Sequence, residues 1–201
     1  MSDEVDAGRY VRAVNEFRQG KDADFKEALD SPIPAPERSG FSGLRYFPPD
    51  PALRVVATVE PLTGGGTFMM RTSDNDEREY ERYALLHFTL DGQEYQLTAY
   101  RTPDADEDES WFVPFRDTQA GKETYGAGRY LEIAPPHAHG AHGPHGPHDA
   151  PEPPHIILDF NLAYNPYCAY SPYYSCPLPP AENTLPIAIR AGEMTYAAHT
   201  H

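Results

Sequence analysis

Lysine is nearly missing from this chain of 201 residues. Lys21, Lys26 and Lys122 are the only three among 16 basic residues, and 31 acidic ones bring the formal charge to -15. Such a surface disfavours nucleic acid and anionic membranes as partners, since both bind through positive charge. An acidic, lysine-poor composition suits a salt-rich cytoplasm, where carboxylates hold water and salt screens their repulsion, so a halophilic origin is expected. No apolar run approaches the roughly 18 residues a membrane helix needs. The opening MSDEVDAGRY has neither the basic start nor the apolar core of a signal peptide. A soluble, cytoplasmic protein is therefore expected. Cysteine is also scarce: only Cys168 and Cys176 occur, and in a reducing compartment they read as free thiols rather than a bridge. Walker and dinucleotide-binding spacings are missing, which disfavours nucleotide binding, and the absence of βαβ alternation argues against a doubly wound fold.

What is present changes period along the chain. From Asp6 to Gln19, Tyr10, Val14 and Phe17 recur at helical steps among charged neighbours, with Gly20 as the expected stop. A second short helix is expected from Asp22, as N-cap, through Phe25 to Leu29. The proline-rich SPIPAPERSG then has to be extended. Residues 1–42 thus read as a helical segment and linker, and residues 43–196 as an all-β domain. After Pro51 the period becomes two. Leu53, Val55, Ala57 and Val59 share one strand face; TFMMRT returns after a glycine-rich turn. Ala84, Leu86, Phe88 and Leu90 then cross an Asp91-Gly92 turn to Tyr95, Leu97 and Ala99, which sets Phe88 opposite Tyr95 and Leu86 opposite Leu97. WFVPF, RYLEI, HIILDF and LPIAIRAGE complete about eight strands, so the expected fold is a mainly β antiparallel barrel or sandwich with a short N-terminal helical segment. RYLEI and HIILDF flank the low-complexity tract 134–154, which reads as a disordered insertion at the tip of a hairpin joining them.

Four sets of residues carry candidate chemistry. His137, His139, His142, His145 and His148 could hold zinc, nickel or copper, although a solvated loop with incidental affinity explains the same composition. Cys168 could serve as a nucleophile with His87 or His155 as base; packed small thiols are the plainer reading. Asp159, Asn161 and Asn165 follow one strand, and Glu182, Asn183 and Glu193 border the last. An Asp159/Glu193 pair could do acid and base work or hold a cation, while Asp and Asn at loop ends also cap backbone amides. Arg116, Asp117, Tyr125 and Arg129 form a cluster able to hold an anion, or alternatively a glycine-bent strand with Arg129 paired to Asp117 or another local acid.

The runs FVPFRDTQAGKETYGAGRYL and LDFNLAYNPYCAYSPYYSCPLPPAENTLPIAIRAGE resemble domain-of-unknown-function family 1684 over roughly Gly43 to Met194. The motif positions are Phe115, Asp117, Thr124, Tyr125, Gly128 and Arg129, then Asp159, Phe160, Asn161, Asn165, Pro166, Cys168, Cys176, Pro177, Pro180, Asn183, Gly192 and Glu193. The histidine tract departs from the family pattern. The resemblance implies soluble bacterial or archaeal proteins and brings no activity with it. The residues themselves support a small-molecule or ion binding domain with a polar pocket built from Arg116, Asp117, Tyr125, Arg129, Asp159, Asn161, Asn165, Asn183 and Glu193. A hydrolase using Cys168 or Asp159/Glu193 and an interaction module using the tyrosine-rich loop are the alternatives. No cofactor is implied, and the sequence leaves the oligomeric state open.

Overall fold

Alternation of apolar and polar residues makes the middle of the chain a sheet. The computed structural model describes residues 2–64, 66–106, 108–135 and 154–196. Helix α1 (Ser2–Glu27) is followed by strands β1 (Arg54–Pro61), β2 (Thr67–Arg71), β3 (Glu77–Leu90), β4 (Gln93–Arg101), β5 (Trp111–Phe115), β6 (Arg129–Ile133) and β7 (His155–Asp159). All seven belong to one sheet, ordered β6-β5-β4-β3-β1-β7 with β2 beside β3, and every strand pair is antiparallel. The sheet curls into a half-barrel around Ala57, Leu86, Leu97, Val113, Leu131 and Leu158, the expected mainly β fold. The β3–β4 hairpin has the expected register, Phe88 opposite Tyr95 and Leu86 opposite Leu97. Positive φ at Asp91 (50°) and Gly92 (77°) gives its turn the twist that two-residue hairpins require. Among the described residues no helix is long and apolar enough to cross a membrane.

Three expected elements differ. First, α1 runs through Gly20 as one helix. A Cβ at Gly20 would meet nothing within 4 Å, so that glycine costs some propensity and obstructs nothing. Asp22 therefore does not cap a second helix; its carboxylate accepts the Leu44 N–H (3.0 Å) and holds the following linker. The helix also buries Val14, Arg18 and Phe25, leaving Phe17 55% and Leu29 99% exposed. Tertiary partners reward a polar stripe there: Arg18 donates to the carbonyls of Phe47 (2.8 Å) and Asn161 (3.1 Å).

Second, β6 and β7 are not partners. They lie at opposite ends of the strand order, and the chain closes between them through Tyr130 and Tyr164, whose backbones exchange hydrogen bonds of 2.9 and 3.0 Å. The tract 136–153, with its five histidines, lies outside the described residues.

Third, LPIAIRAGE forms no strand. Its alternation does bury Leu185, Ile189 and Ala191 in the main core. Its backbone, however, is held by single bonds to the segment after β5, such as Leu185 N–H to Arg116 O (2.8 Å) and Thr118 N–H to Ile187 O (3.0 Å), and by side chains. The segment ends at Gly192, whose φ is +72° and whose α-carbon faces the carbonyls of Phe160 and Ala163. A Cβ there would stand 2.8 Å from the Phe160 oxygen and 2.9 Å from the Ala163 Cβ. Gly192→Ala is expected to cost at least about 2 kcal/mol in urea denaturation, combining left-handed strain with the clash. An unchanged midpoint would contradict the packing described.

Candidate functional site

Arg129 lies at the start of β6 with 1% of its surface exposed. Its guanidinium donates to the Asp117 carboxylate (3.0 Å) and to the carbonyls of Ile189 (2.8 Å), Glu193 (3.2 Å) and Ala191. Asp117 also accepts the N–H groups of Ile189 (2.9 Å) and Gln119 (3.0 Å). The two charges therefore form a buried clamp that stands in for the missing strand ladder of residues 185–193. Burial lowers the pKa of the guanidinium, while Asp117 opposes that shift. Arg116, one step earlier, points its side chain to solvent.

Glu193 closes a second cluster. One carboxylate oxygen accepts Lys21 of α1 (2.5 Å); the other accepts the Asn165 N–H (2.8 Å) and the Tyr170 hydroxyl. Lys21 also stands over the rings of Phe25 (5.1 Å) and Tyr164 (4.9 Å), so this helix contact is both ionic and cation–π. Asp159 belongs to a third group: it accepts the Tyr10 hydroxyl (2.7 Å) and the Asn161 N–H (3.0 Å), with Arg54 3.7 Å away. The Asn161 amide exchanges two bonds with the Asp50 backbone, 2.8 and 2.7 Å. Asn183 sits between β4 and β5 and bonds backbone groups of both. Asp117 and Arg129 thus come together, as do Asn165 and Glu193, and Asp159 and Asn161. Each group spends a large part of its bonding capacity on the protein's own backbone.

Open space lies on the other side of these clusters. A groove of about 1080 Å³ runs between α1, the outer face of β3–β6 and the tyrosine-rich loop. Tyr80 stacks on Phe112 (5.5 Å between centroids), Phe112 meets the edge of Tyr130 (4.7 Å), and Tyr130 meets Tyr164 (5.7 Å), giving an aromatic floor. Phe25, Tyr167 and Tyr174 form a matching wall, with Tyr167 edge-on to each of the others. Glu132 lies in the floor, its carboxylate bonded by the Tyr164 hydroxyl (2.7 Å). Although Glu132 is exposed, partial desolvation beside these rings raises its pKa above the ordinary 4.5, while the Tyr164 bond pulls the other way. Arg78 and Arg101 also line the groove; Arg78 donates to the Ser175 carbonyl (2.8 Å) and Arg101 to Glu81 (2.9 Å).

None of Arg116, Asp117, Tyr125, Arg129, Asp159, Asn161, Asn165, Asn183 or Glu193 lines this groove; Glu193 and Asn165 stand behind it, through Lys21 and Tyr164. The signal that marks it in the sequence is apolar residues on both faces of a strand. WFVPF and RYLEI place Phe112 and Tyr130 opposite the core positions, where a one-sided strand would carry polar residues. Cys168 and Cys176 are both free thiols; Cys168 is half-buried, and Cys176 lies in the groove wall. His87, a possible base for Cys168, is bonded instead to Glu60 across β1 and β3 (2.8 Å). Among the described residues no group of three or more His, Cys, Asp or Glu is arranged to hold a metal ion.

The family model described as Protein of unknown function (DUF1684) matches residues 39–194. The chain is also similar to an uncharacterized protein from Haloarcula marismortui whose structure was solved by NMR in solution. The two share 42% identity over 98% of this chain and all of the other, with a TM-score of 0.70. No curated protein matches.

Proposed function

Because the chain belongs to the DUF1684 family, which carries no assigned activity to transfer, function has to be read from its own geometry, and we propose that it binds a small organic cation with a flat apolar body in the aromatic groove. The observation that carries this reading is the row of rings from Tyr80 to Tyr164 with the Glu132 carboxylate among them. Aromatic faces attract a cation while sheltering its apolar part, and a nearby carboxylate supplies the counter-charge. The three basic side chains in the lining already have partners: Glu193 for Lys21, the Ser175 carbonyl for Arg78 and Glu81 for Arg101. Asp24, Asp30 and Glu109 add further negative charge around the groove. In this reading the clusters of Arg129, Asp117, Asn165 and Glu193 hold the groove's walls in place, and the polar pocket expected near 159–193 becomes the support behind the binding surface.

Benzyltrimethylammonium, benzyl alcohol and benzoate separate charge from shape. The cation is expected to shift backbone NMR signals of Phe112, Tyr130, Glu132 and Tyr164, and the other two probes only weakly. Glu132→Gln is expected to weaken the cation roughly tenfold, about 1.4 kcal/mol. Since protonation removes the negative charge and partial desolvation raises the Glu132 pKa, affinity should be lost on acidification at a higher pH than an ordinary glutamate would give. Equal binding of benzyl alcohol, or shifts confined to residues outside the groove, would overturn the reading. The tyrosine-rich loop gives less support to a partner-binding role, since Tyr170 is fully buried and Tyr164, Tyr167 and Tyr174 line the groove; Tyr167 is 43% and Tyr173 89% exposed.

A further inference from the structure

Neither thiol is needed to bind a cation, yet the fold brings both to one point. Cys168 follows the turn opened by Pro166, and its backbone N–H donates to the Cys176 sulfur at 3.2 Å. The Tyr125 hydroxyl lies 3.8 Å from the Cys168 sulfur. Ser73, from the turn between β2 and β3, accepts the Cys176 N–H at 3.1 Å. Three separate parts of the chain thus meet at the two thiols, and the partially open one faces the Tyr125 hydroxyl.

We propose that Cys168 and Cys176 form a redox-active dithiol that reduces hydroperoxides, with Cys168 as the attacking thiolate and Cys176 as the resolving thiol. The division of labour follows from their surroundings. Hydrogen bonds from Cys176, Tyr125 and Ser73 favour the Cys168 thiolate and bring its pKa down to about 6, despite partial burial. The bond to Cys168 and burial push the Cys176 thiol up, so the proton stays there. Cys176 is 6% exposed and Cys168 more open, so an incoming peroxide meets Cys168 first. Thiolate, not thiol, is the nucleophile.

The chemistry balances in two steps. The Cys168 thiolate attacks one peroxide oxygen, the O–O bond breaks, and the departing alkoxide takes a proton from solvent to leave as alcohol. Cys168 is now a sulfenic acid. The Cys176 sulfur then attacks the Cys168 sulfur, an S–S bond forms, and the S–OH bond breaks; the hydroxide combines with the Cys176 proton as water. Two thiols have lost two electrons and the hydroperoxide has gained them. A low-molecular-weight thiol such as glutathione would restore the pair by two exchange reactions, becoming oxidised to its own disulfide.

The test uses the full chain and equimolar hydrogen peroxide, quenched with N-ethylmaleimide and mapped by mass spectrometry without reduction. Wild type should give one intramolecular linkage between the peptides of Cys168 and Cys176, lighter by two hydrogens. Cys176→Ser should stop at a Cys168 sulfenic acid that dimedone traps, and Cys168→Ser should consume no peroxide above buffer. Without peroxide, the alkylation rate of Cys168 by iodoacetamide should be half-maximal near pH 6 instead of near 9. Tyr125→Phe should move that midpoint upward, a change that packing alone would not produce. Thiols that remain fully alkylatable after peroxide, oxidation at Cys176 with Cys168 still reduced, or linkage only between chains would each overturn the proposal.

Discussion

Replacing Arg129 by methionine is expected to destabilise the protein by about 3–5 kcal/mol, the usual consequence of leaving a buried carboxylate without its partner. The domain's total stability is expected to be of the order of 5–15 kcal/mol, so this one change removes a large share of it. Methionine would keep apolar contact with Phe115, over whose ring the guanidinium lies at 5.3 Å. It would leave Asp117 charged and the carbonyls of Ile189, Ala191 and Glu193 without their donor. A second change separates these contributions. Asp117→Asn in the Arg129→Met background removes the unpaired charge, so the double variant should be more stable than Arg129→Met alone. It should remain below wild type, because the carbonyls are still unsatisfied. Urea denaturation of all four proteins gives the coupling energy. An Arg129→Met loss under about 1 kcal/mol would mean that residues 185–193 are held by their apolar side chains alone.

Asn183 carries the second large effect, because it mends the sheet. Pro114 has no N–H to offer, and β4 and β5 pair only at Tyr100 and Phe112. The Asn183 amide fills that seam. Its oxygen accepts the Thr98 N–H, and its nitrogen donates to the Thr98 and Pro114 carbonyls, each at 2.8 Å and fully buried. Leucine fits the volume and satisfies none of the three groups, so Asn183→Leu is expected to cost about 3–6 kcal/mol. Asn183→Asp is the sharper probe. At neutral pH it would aim a carboxylate at two carbonyl oxygens; once protonated, it could donate to one of them. The introduced group thus has a folded-state pKa raised above its unfolded value. Its deficit against wild type should shrink below the unfolded pKa and reach its full size as pH rises through the folded one. A deficit independent of pH would show that the side chain has turned away from the seam.

Period-two alternation made the hairpin legible: Phe88, Leu86, Tyr95 and Leu97 are apolar on one face, and Asp91-Gly92 admits few other turns. The same rule misread LPIAIRAGE. Its burial pattern is that of a strand because Leu185, Ile189 and Ala191 do face the core, but alternation reports where side chains go and not what the backbone bonds to. The helix failed in the opposite sense. Apolar spacing selected Phe17, whereas Arg18 is buried because the Phe47 and Asn161 carbonyls await it, and those lie 29 and 143 residues away. For the candidate site, the sequence marked Asp117, Arg129, Asn161, Asn165, Asn183 and Glu193 by the density of chemically capable side chains between strands. It did not show that each would turn toward backbone carbonyls and amides, nor that open space would lie on the aromatic face of the strands.

The sequence by itself determined the class of fold and the register of the β3–β4 hairpin, since these follow from local periodicity and turn chemistry, and it left the pairing of Arg129 as one of two open readings. Only tertiary structure decided that the last apolar run is clamped instead of paired, that α1 docks through Lys21 and Arg18, and that the open groove is the one around Glu132. Each of these depends on satisfying buried polar groups from distant parts of the chain. A buried charge or orphaned carbonyl carries a penalty that no residue pattern shows until its partner is in place.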